Sequence, residues 1–477
     1  MKRSLLLPLL LVTMPALAQQ SLQQRVEARL GEAATGTRFG LVVTDVEGNE
    51  IVAVNPEGRF IPASNTKMFT TAAAYASLTG LDQPDAAGGA AVRIEGQDVI
   101  LEGHGDARLS SAADCAVDCL AMLADAVAAK TRHVRNVVGD DTVFPDQRWS
   151  PGMSWNNIPS RSGTGISALT LDDNELVLEV SPGAVGAPPR VVLPLDYYGV
   201  ENLALTVAGA ENRLGYDRAP NGTLLRLTGT IGVDARPETQ RVGIDDPAHY
   251  AAWRFRTLLE ARGVKVTGTI SARHRGLMPG DDPEARNGAP AARPPAQAPL
   301  AKLTPPPLAA DVVTINKVSQ NLHAELLLRR VSLRRGSGSI ADGLVEVRAM
   351  LDAAGVPRTA WDLSDGSGMS TYNRAAPRGL VKMLRWIAAQ PWGAAWRASL
   401  PIGGVDGTLA RRFKGTVLEG RVFAKTGTIN ATNALSGYLI AKSGKELTFS
   451  TFANDVPSGA SATPFMDAAL VLVAEAN

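Results

Sequence analysis

Ser64 and Lys67 form a Ser-x-x-Lys pattern at the start of an alanine-rich segment. Residues 64–78 are followed by Gly80, which predicts a helix with the serine at its N-terminus. A spacing of three places both side chains on one helix face, so the lysine amine can reach the serine hydroxyl. A lysine whose pKa is lowered can then take the hydroxyl proton and activate the serine as a nucleophile. Taken alone, the pattern is more often a helix cap beside a solvent-exposed lysine.

A second polar group, made by Ser319, Gln320 and Asn321, begins a helix-like stretch that we predict over residues 318–333. A serine here can relay a proton to a leaving amine, which is the task of a general acid. An asparagine two positions later can hold the backbone of a peptide substrate. The alternative is an ordinary helix start with no role in chemistry.

A third group, Lys425, Thr426, Gly427 and Thr428, ends a strand-like stretch. The lysine supplies positive charge for a substrate carboxylate, and we expect it to lower the pKa of Lys67. The glycine lets a bound peptide come close to the strand edge, where the peptide would add as an extra strand. Alone, the group could be a strand end with a turn. The three motifs in this order match the penicillin-recognising serine enzymes and are hard to explain by chance.

With these motifs, the chain resembles the class C low-molecular-mass penicillin-binding proteins, a family of D-alanyl-D-alanine carboxypeptidases and endopeptidases. Further segments that look like the family are residues 139–144, Trp155, 167–169, Asn174, 365–370 and 403–409. The resemblance implies that Ser64 is acylated, that Lys67 is the base, and that Ser319 and Asn321 form the second catalytic motif. It also implies a carboxylate site at Lys425, Thr426 and Thr428, and an oxyanion hole made by the Ser64 and Thr428 amides. Gln320 departs from the Asp or Asn that is commoner there, and we expect little effect on the reaction.

Asp140 and Asp141 are an acidic pair in the region between the first two motifs. Such a pair can bind the free amino group of a diaminopimelate side chain in the substrate. The alternative is a pair that closes a turn or caps a helix, and the sequence does not decide between the two.

The predicted fold is α/β (α+β): a serine β-lactamase/transpeptidase-like domain with helices on an antiparallel sheet and a large, mostly β insertion. We assign the domain to residues 19–83 and 309–477, the insertion to 84–285, and a proline-rich linker to 286–308. Strands are predicted at residues 41–44 and 51–54 near the N-terminus and at 422–425, 434–440 and 446–452 near the C-terminus. Helices are predicted at 120–129, 250–262 and 466–475.

The chain has 477 residues, 45% of them hydrophobic and 20% charged, as expected for a soluble globular protein of more than one domain. A net charge of +1 argues against a nucleic-acid-binding protein. No metal cluster or phosphate-binding loop is evident, so no metal and no cofactor are expected. Cys115 and Cys119, the only cysteines, could form a bridge in an oxidising compartment or remain free thiols. Both are favoured over a metal site because no histidine lies nearby.

The N-terminus has a basic start, a short apolar run and small residues before Gln19, which predicts a signal peptide over residues 1–18, cleaved after Ala18. We therefore expect a periplasmic protein. Its expected partners are peptidoglycan stem peptides and β-lactam antibiotics, with peripheral membrane contact as a further option. The competing functions are a serine β-lactamase, which hydrolyses its acyl-enzyme quickly, and a non-catalytic wall-binding protein of the same fold.

Overall fold

The computed structural model describes residues 20–291 and 297–477. The predicted signal peptide at residues 1–18, with its cleavage point after Ala18, lies outside the described residues. Among the described residues, no helix combines the length and the apolar composition that a membrane crossing requires.

The elements fall into three consecutive segments of the chain. The first segment contains α1 (Leu22–Gly31), β1 (Arg38–Thr44), β2 (Glu50–Val54) and α2 (Thr66–Ser77). The second contains β3 (Ala91–Glu95), β4 (Asp98–Glu102), α3 (Leu120–Lys130), β5 (His133–Val134), β6 (Val137–Asp140), β7 (Glu175–Ser181), β8 (Arg190–Val192), β9 (Gly199–Asn202), β10 (Leu205–Val207), β11 (Asn212–Asp217), β12 (Leu224–Gly232), β13 (Glu238–Gly243), α4 (Pro247–Ala261), β14 (Lys265–Val266), β15 (Ile270–Arg273) and β16 (Ala301–Lys302). The third contains α5 (Leu308–Lys317), α6 (Asn321–Ser332), α7 (Ile340–Ala353), β17 (Trp361–Asp362), β18 (Arg374–Ala375), α8 (Pro377–Ala388), α9 (Gly393–Ala398), β19 (Val422–Ile429), β20 (Thr432–Ile440), β21 (Glu446–Asn454) and α10 (Thr463–Ala476).

One antiparallel sheet joins the first and third segments in the order β19-β20-β21-β1-β2. Leu41 of β1 lies opposite Thr451 of β21, so the two ends of the chain share one sheet. Helices α2, α7 and α8 pack on one face around Phe452, and α1 and α10 pack on the other around Phe449. Burying both faces of the sheet fixes the register of β19, the strand at its edge. The predicted α/β fold with helices on an antiparallel sheet is confirmed.

The second segment builds its own core around α3 and α4, with apolar side chains from four sheets. The largest sheet has the order β15-β6-β4-β3-β16. Residues 301–302, which we placed in a linker, pair with β3 as strand β16, and Leu303 is buried in the same core. The linker prediction is wrong at this end because cross-strand pairing fixes a stretch whose composition favours no regular structure.

The structure shifts one helix start and decides between two alternatives for the cysteines. The helix predicted over 318–333 begins three residues later, as α6 at Asn321, because Ser319, with a φ of +64°, separates it from α5, which ends at Lys317. Cys115 and Cys119 form a disulfide in the loop before α3, which is one of the two alternatives that the sequence left open. The loop can turn tightly because Asp118 takes a left-handed conformation with φ of +60°.

Candidate active site

Ser64 lies in a single 3-10 turn, Ala63–Asn65, that leads directly into α2. Ala63 has a φ of +47°, a left-handed conformation that costs an alanine roughly 1–3 kcal/mol. Asn65 is fully buried, and its Nδ2 donates to the carbonyl oxygen of Lys425 at 2.8 Å. The turn that carries the predicted nucleophile is therefore held against β19.

Lys67 is fully buried, and its Nζ lies near three oxygen atoms. The distances are 3.0 Å to Ser64 Oγ, 2.6 Å to Asn321 Oδ1 and 2.6 Å to the carbonyl oxygen of Ser367. Burial lowers the pKa of Lys67 to about 7, although Asp365 and then Glu325 oppose the shift. A neutral amine has two N–H donors and one lone pair. It can donate to the amide and the carbonyl while its lone pair faces the Ser64 hydroxyl, so this geometry suits a base.

Asn321, the first residue of α6, has an amide group whose orientation is fixed on both sides. Its Nδ2 donates to the carbonyl oxygen of Ser162 at 3.0 Å, which leaves Oδ1 to accept from Lys67. Ser319 lies between α5 and α6 in a left-handed conformation, and its Oγ accepts from Lys425 Nζ at 2.8 Å. Gln320 points away from this group towards Asp173 of the second segment, with Nε2 3.4 Å from Oδ2. The second motif therefore contributes its first and third side chains to the site.

Lys425 is also fully buried, and its Nζ donates to the carbonyl oxygen of Thr426 at 3.0 Å as well as to Ser319. Burial lowers its pKa well below the usual range, and the charge of Lys67 lowers it further. We expected Lys425 to lower the pKa of Lys67. In the structure, burial is the main cause of the low Lys67 pKa, and the repulsion between the two lysines disfavours the state in which both are charged.

Strand β19 presents a free edge beside the nucleophile. A Cβ atom added to Gly427 would lie 2.8 Å from the carbonyl oxygen of Pro62 and 3.1 Å from Ser64 N, so only glycine permits this approach. The amide of Ala424 points away from β20, donating to Pro401, and period-two alternation directs the Thr428 amide the same way. The Thr428 amide therefore points out from the sheet edge, next to Gly427, which lies close to the Ser64 amide nitrogen.

The cleft at this edge has a volume of about 380 Å³. Its lining is rich in hydroxyl groups, from Ser64, Ser319, Thr408, Thr426, Thr428 and Thr463, and includes Gly427 and Arg412. Thr426 and Thr408 share a hydrogen bond of 2.7 Å between their Oγ1 atoms. Within residues 20–291 and 297–477, no group of His, Cys, Asp and Glu side chains is arranged to hold a metal ion.

A family model described as the D-Ala-D-Ala carboxypeptidase 3 (S13) family matches residues 22–476. The chain belongs to this S13 family. It is 36% identical to a D-alanyl-D-alanine carboxypeptidase of Actinomadura sp. (strain R39), over 98% of this chain and 89% of that protein. It is 24% identical to a D-alanyl-D-alanine carboxypeptidase of Haemophilus influenzae, over 89% of this chain and 87% of that protein.

Two solved structures share the fold of this S13 chain. Penicillin-binding protein 4 of Haemophilus influenzae matches with a TM-score of 0.77 and 22% identity, over 94% of this chain and 97% of that one. The same protein complexed with a β-lactam matches with a TM-score of 0.73 and 20% identity over the same shares. The predicted family and fold are confirmed.

One buried carboxylate beside Lys67, that of Glu325, was not predicted from the sequence. Glu325 is buried on α6, and its Oε1 accepts from the amides of Gly366 and Ser367 at 3.0 and 2.9 Å. Its Oε2 pairs with Arg329 Nη1 at 2.9 Å. The carboxylate thereby fixes the loop whose Ser367 carbonyl accepts from Lys67. A repeat of polar residues every four positions on α6, at 321, 325 and 329, was the available signal.

The loop over residues 365–370 was noted as a family segment without a role. Asp365 is buried and accepts from the amides of Gly368 and Ser370 at 2.9 and 2.6 Å. Burial, and then the charge of Glu325, raises the pKa of Asp365 to about 6. A Cβ atom added to Gly368 would lie only 1.9 Å from the carbonyl oxygen of Ala63. The loop therefore packs directly on the turn of the nucleophile.

Asp140 and Asp141 do not join the site. Asp140 is 7% exposed and accepts from Thr142 Oγ1 at 2.7 Å and Arg273 Nη1 at 3.2 Å. Asp141 is 5% exposed and contacts Ser167 Oγ at 2.8 Å and His274 Nδ1 at 3.0 Å. Both carboxylates already have partners within the second segment, so the geometry contradicts our hypothesis that they bind a substrate amine. The alternative, a pair that closes a turn, fits Asp140, since Thr142 N also donates to it at 3.1 Å.

Proposed function

We propose that this chain is a serine D-Ala-D-Ala carboxypeptidase and endopeptidase that acts on peptidoglycan stem peptides through an acyl-enzyme on Ser64. The observation that carries the proposal is the set of three contacts at Lys67 Nζ, which suits a neutral amine facing the Ser64 hydroxyl. Membership of the S13 family and the likeness to the Actinomadura enzyme support the choice of substrate.

The reaction begins when neutral Lys67 takes the proton of Ser64 and Oγ attacks the carbonyl carbon of the penultimate D-Ala. The negative charge on the carbonyl oxygen is stabilised by the Ser64 and Thr428 amides at the edge of β19. As the C–N bond breaks, Ser319 passes its hydroxyl proton to the leaving amine and is reprotonated from the lysine pair. Water, deprotonated by Lys67, then hydrolyses the ester and restores the serine.

The substrate lies along β19 as an added strand, because beyond Ala424 the outward amides of Thr426 and Thr428 have no hydrogen-bond partner among the described residues. Its terminal carboxylate lies at the end of the cleft where Thr408, Thr426 and Arg412 meet. The hydroxyl groups donate to the carboxylate, and the guanidinium of Arg412 adds positive charge.

Penicillin would acylate Ser64 by the same steps, since its strained amide takes the place of the D-Ala-D-Ala bond. A homologous fold complexed with a β-lactam supports this part of the proposal. We also propose that the protein is exported to the periplasm by the predicted signal at residues 1–18, where its substrate and peripheral membrane contact would be available.

Mass spectrometry of the intact protein after incubation with benzylpenicillin tests the proposal, together with D-Ala release from a pentapeptide ending in D-Ala-D-Ala. We expect a long-lived adduct on the wild type and none on Ser64→Ala. Ser77→Ala, at the other end of α2, is the matched control and should form the adduct. Rapid loss of the adduct would indicate a β-lactamase, and no adduct with no D-Ala release would indicate a non-catalytic protein.

A further inference from the structure

A second depression, which we call the basic groove, lies between α1, α10 and the loop of residues 411–416. Its volume is about 870 Å³, more than twice that of the cleft. The charged side chains that line it are Arg29, Arg411, Arg412, Lys414 and Asp467. Four positive groups thus face one negative group, although the whole chain is nearly neutral with a net charge of +1.

Two of the basic groove's positive charges are available to a ligand. Asp467 is already paired with Arg412, with Nε 3.0 Å from Oδ2. Arg411 and Lys414 are both exposed, and neither has an acidic partner in the part of the chain that the structure describes. The side chains of Val471 and Leu472 on α10 add an apolar wall. The groove can therefore bind a ligand that combines negative charge with apolar carbon chains.

The basic groove is continuous with the catalytic cleft, because Arg412 and Thr463 line both. The junction lies at the end of the cleft where Thr408 and Thr426 would hold the substrate carboxylate. The part of the substrate that carries the leaving amine lies at that end. A substrate that extends beyond its leaving group would therefore enter the groove.

Two substrates differ on this side of the scissile bond. A stem peptide that ends in D-Ala-D-Ala releases one small amino acid, which the cleft alone accommodates. A crosslink releases a second, acceptor stem peptide, which continues as an apolar-chained diamino acid and further residues with several free carboxylates. Only the acceptor stem peptide is long enough and negative enough to occupy the groove.

We propose that the basic groove binds the acceptor stem peptide of crosslinked peptidoglycan and so makes the chain effective as an endopeptidase. The inference rests on the proposed function, because it uses the same acyl-enzyme on Ser64. The bond that breaks is the amide between the donor D-Ala and the acceptor amine, and that amine takes its proton as the free D-Ala amine does. Arg411 and Lys414 contact the carboxylates of the acceptor and leave the chemical step unchanged.

The test compares two substrates on one set of variants. Arg411→Gln combined with Lys414→Gln removes both available charges, and Lys442→Gln combined with Lys445→Gln removes two exposed charges on the hairpin between β20 and β21. The kcat/KM is measured by chromatography for a purified crosslinked muropeptide dimer and for a pentapeptide ending in D-Ala-D-Ala. We expect the groove variant to lose about tenfold on the dimer, as two partly exposed ion pairs would give, and less than twofold on the pentapeptide.

In the wild type and the hairpin control, added salt should lower kcat/KM for the dimer more than kcat/KM for the pentapeptide. The decrease for the dimer should be smaller in the groove variant. Equal losses on both substrates, or no loss on the dimer, would overturn the inference, as would a wild type that cleaves the pentapeptide but not the dimer. Loss of binding to vesicles of anionic lipid with unchanged dimer cleavage would assign the groove to the membrane instead. A wild type that forms no penicillin adduct and releases no D-Ala from the pentapeptide would refute the proposed function itself.

Discussion

The pH dependence of acylation gives a direct test of Lys67 as the base. A lysine in water has a pKa of 10.5, and burial lowers that of Lys67 to about 7. This difference corresponds to about 5 kcal/mol of free energy that disfavours the ammonium form in the buried site. At pH 7 about half of the molecules would hold a neutral amine, against ~0.03% for an exposed lysine.

The expected profile follows from that pKa. Because the neutral amine is the active form, the acylation rate constant should rise as the pH rises through 7 and reach a plateau above 8. The neutral fraction is about 9% at pH 6 and about 91% at pH 8, so the rate constant should rise about tenfold. Lys67 and Lys425 interact, so the apparent pKa of this rise belongs to the pair.

Stopped-flow labelling with a fluorescent penicillin at pH 5.5–9.5 measures this rate constant. Circular dichroism at each pH shows whether the protein stays folded, so that unfolding is not mistaken for protonation. Lys67→Arg is the companion variant, since a guanidinium keeps its proton throughout this range and should give no acylation. A rate constant that is flat from pH 5.5 to 8, or that rises only near pH 10, would refute the role of burial argued here.

Two substitutions test the packing around the site and beyond it. Gly368→Ala places a Cβ 1.9 Å from the carbonyl oxygen of Ala63, so the acylation rate constant should fall by about 100-fold. Gly444→Ala is the control, because Gly444 has a φ of +91°, close to the +90° of Gly368, but open space around it. It should leave the acylation rate constant unchanged. Equal labelling rates of the two variants would contradict the contact. Replacing Cys115 and Cys119 with serine opens a very short loop and should lower the free energy of unfolding in urea by about 2 kcal/mol without slowing acylation. A slower acylation would show that the disulfide loop is coupled to the site.

The residues of the candidate site could be predicted from the sequence because their proposed chemistry depends on side chains in short, ordered motifs. Ser64 and Lys67 are one helical turn apart, so a local pattern already places them together. The third acceptor at Lys67 is a backbone carbonyl, that of Ser367, and any residue type can supply one. Glu325 was missed for a related reason. Its carboxylate accepts hydrogen bonds from backbone amides, so the residue types of its partners do not reveal the contact.

The errors have a common physical cause. The acidic pair Asp140 and Asp141 was chosen for its charge, but the sequence does not show that Arg273 and His274 lie opposite on β15 and just after it. Strand β16 follows a proline-rich stretch and is fixed only by pairing with β3. In each case a contact between distant parts of the chain determines the local structure, and this contact cannot be predicted from local composition.

The sheet order has a consequence for synthesis. Strand β1 lies between β2 and β21 in the sheet. It therefore lacks its neighbour β21 until residues 446–454 have been synthesised. The second segment has a core of its own and can fold while the rest is still being made. Lys425 on β19 therefore joins Ser64 and Lys67 only at a late stage of folding. A chain that is cut short before β21 should be degraded as an unfolded polypeptide and should never act as an uncontrolled hydrolase.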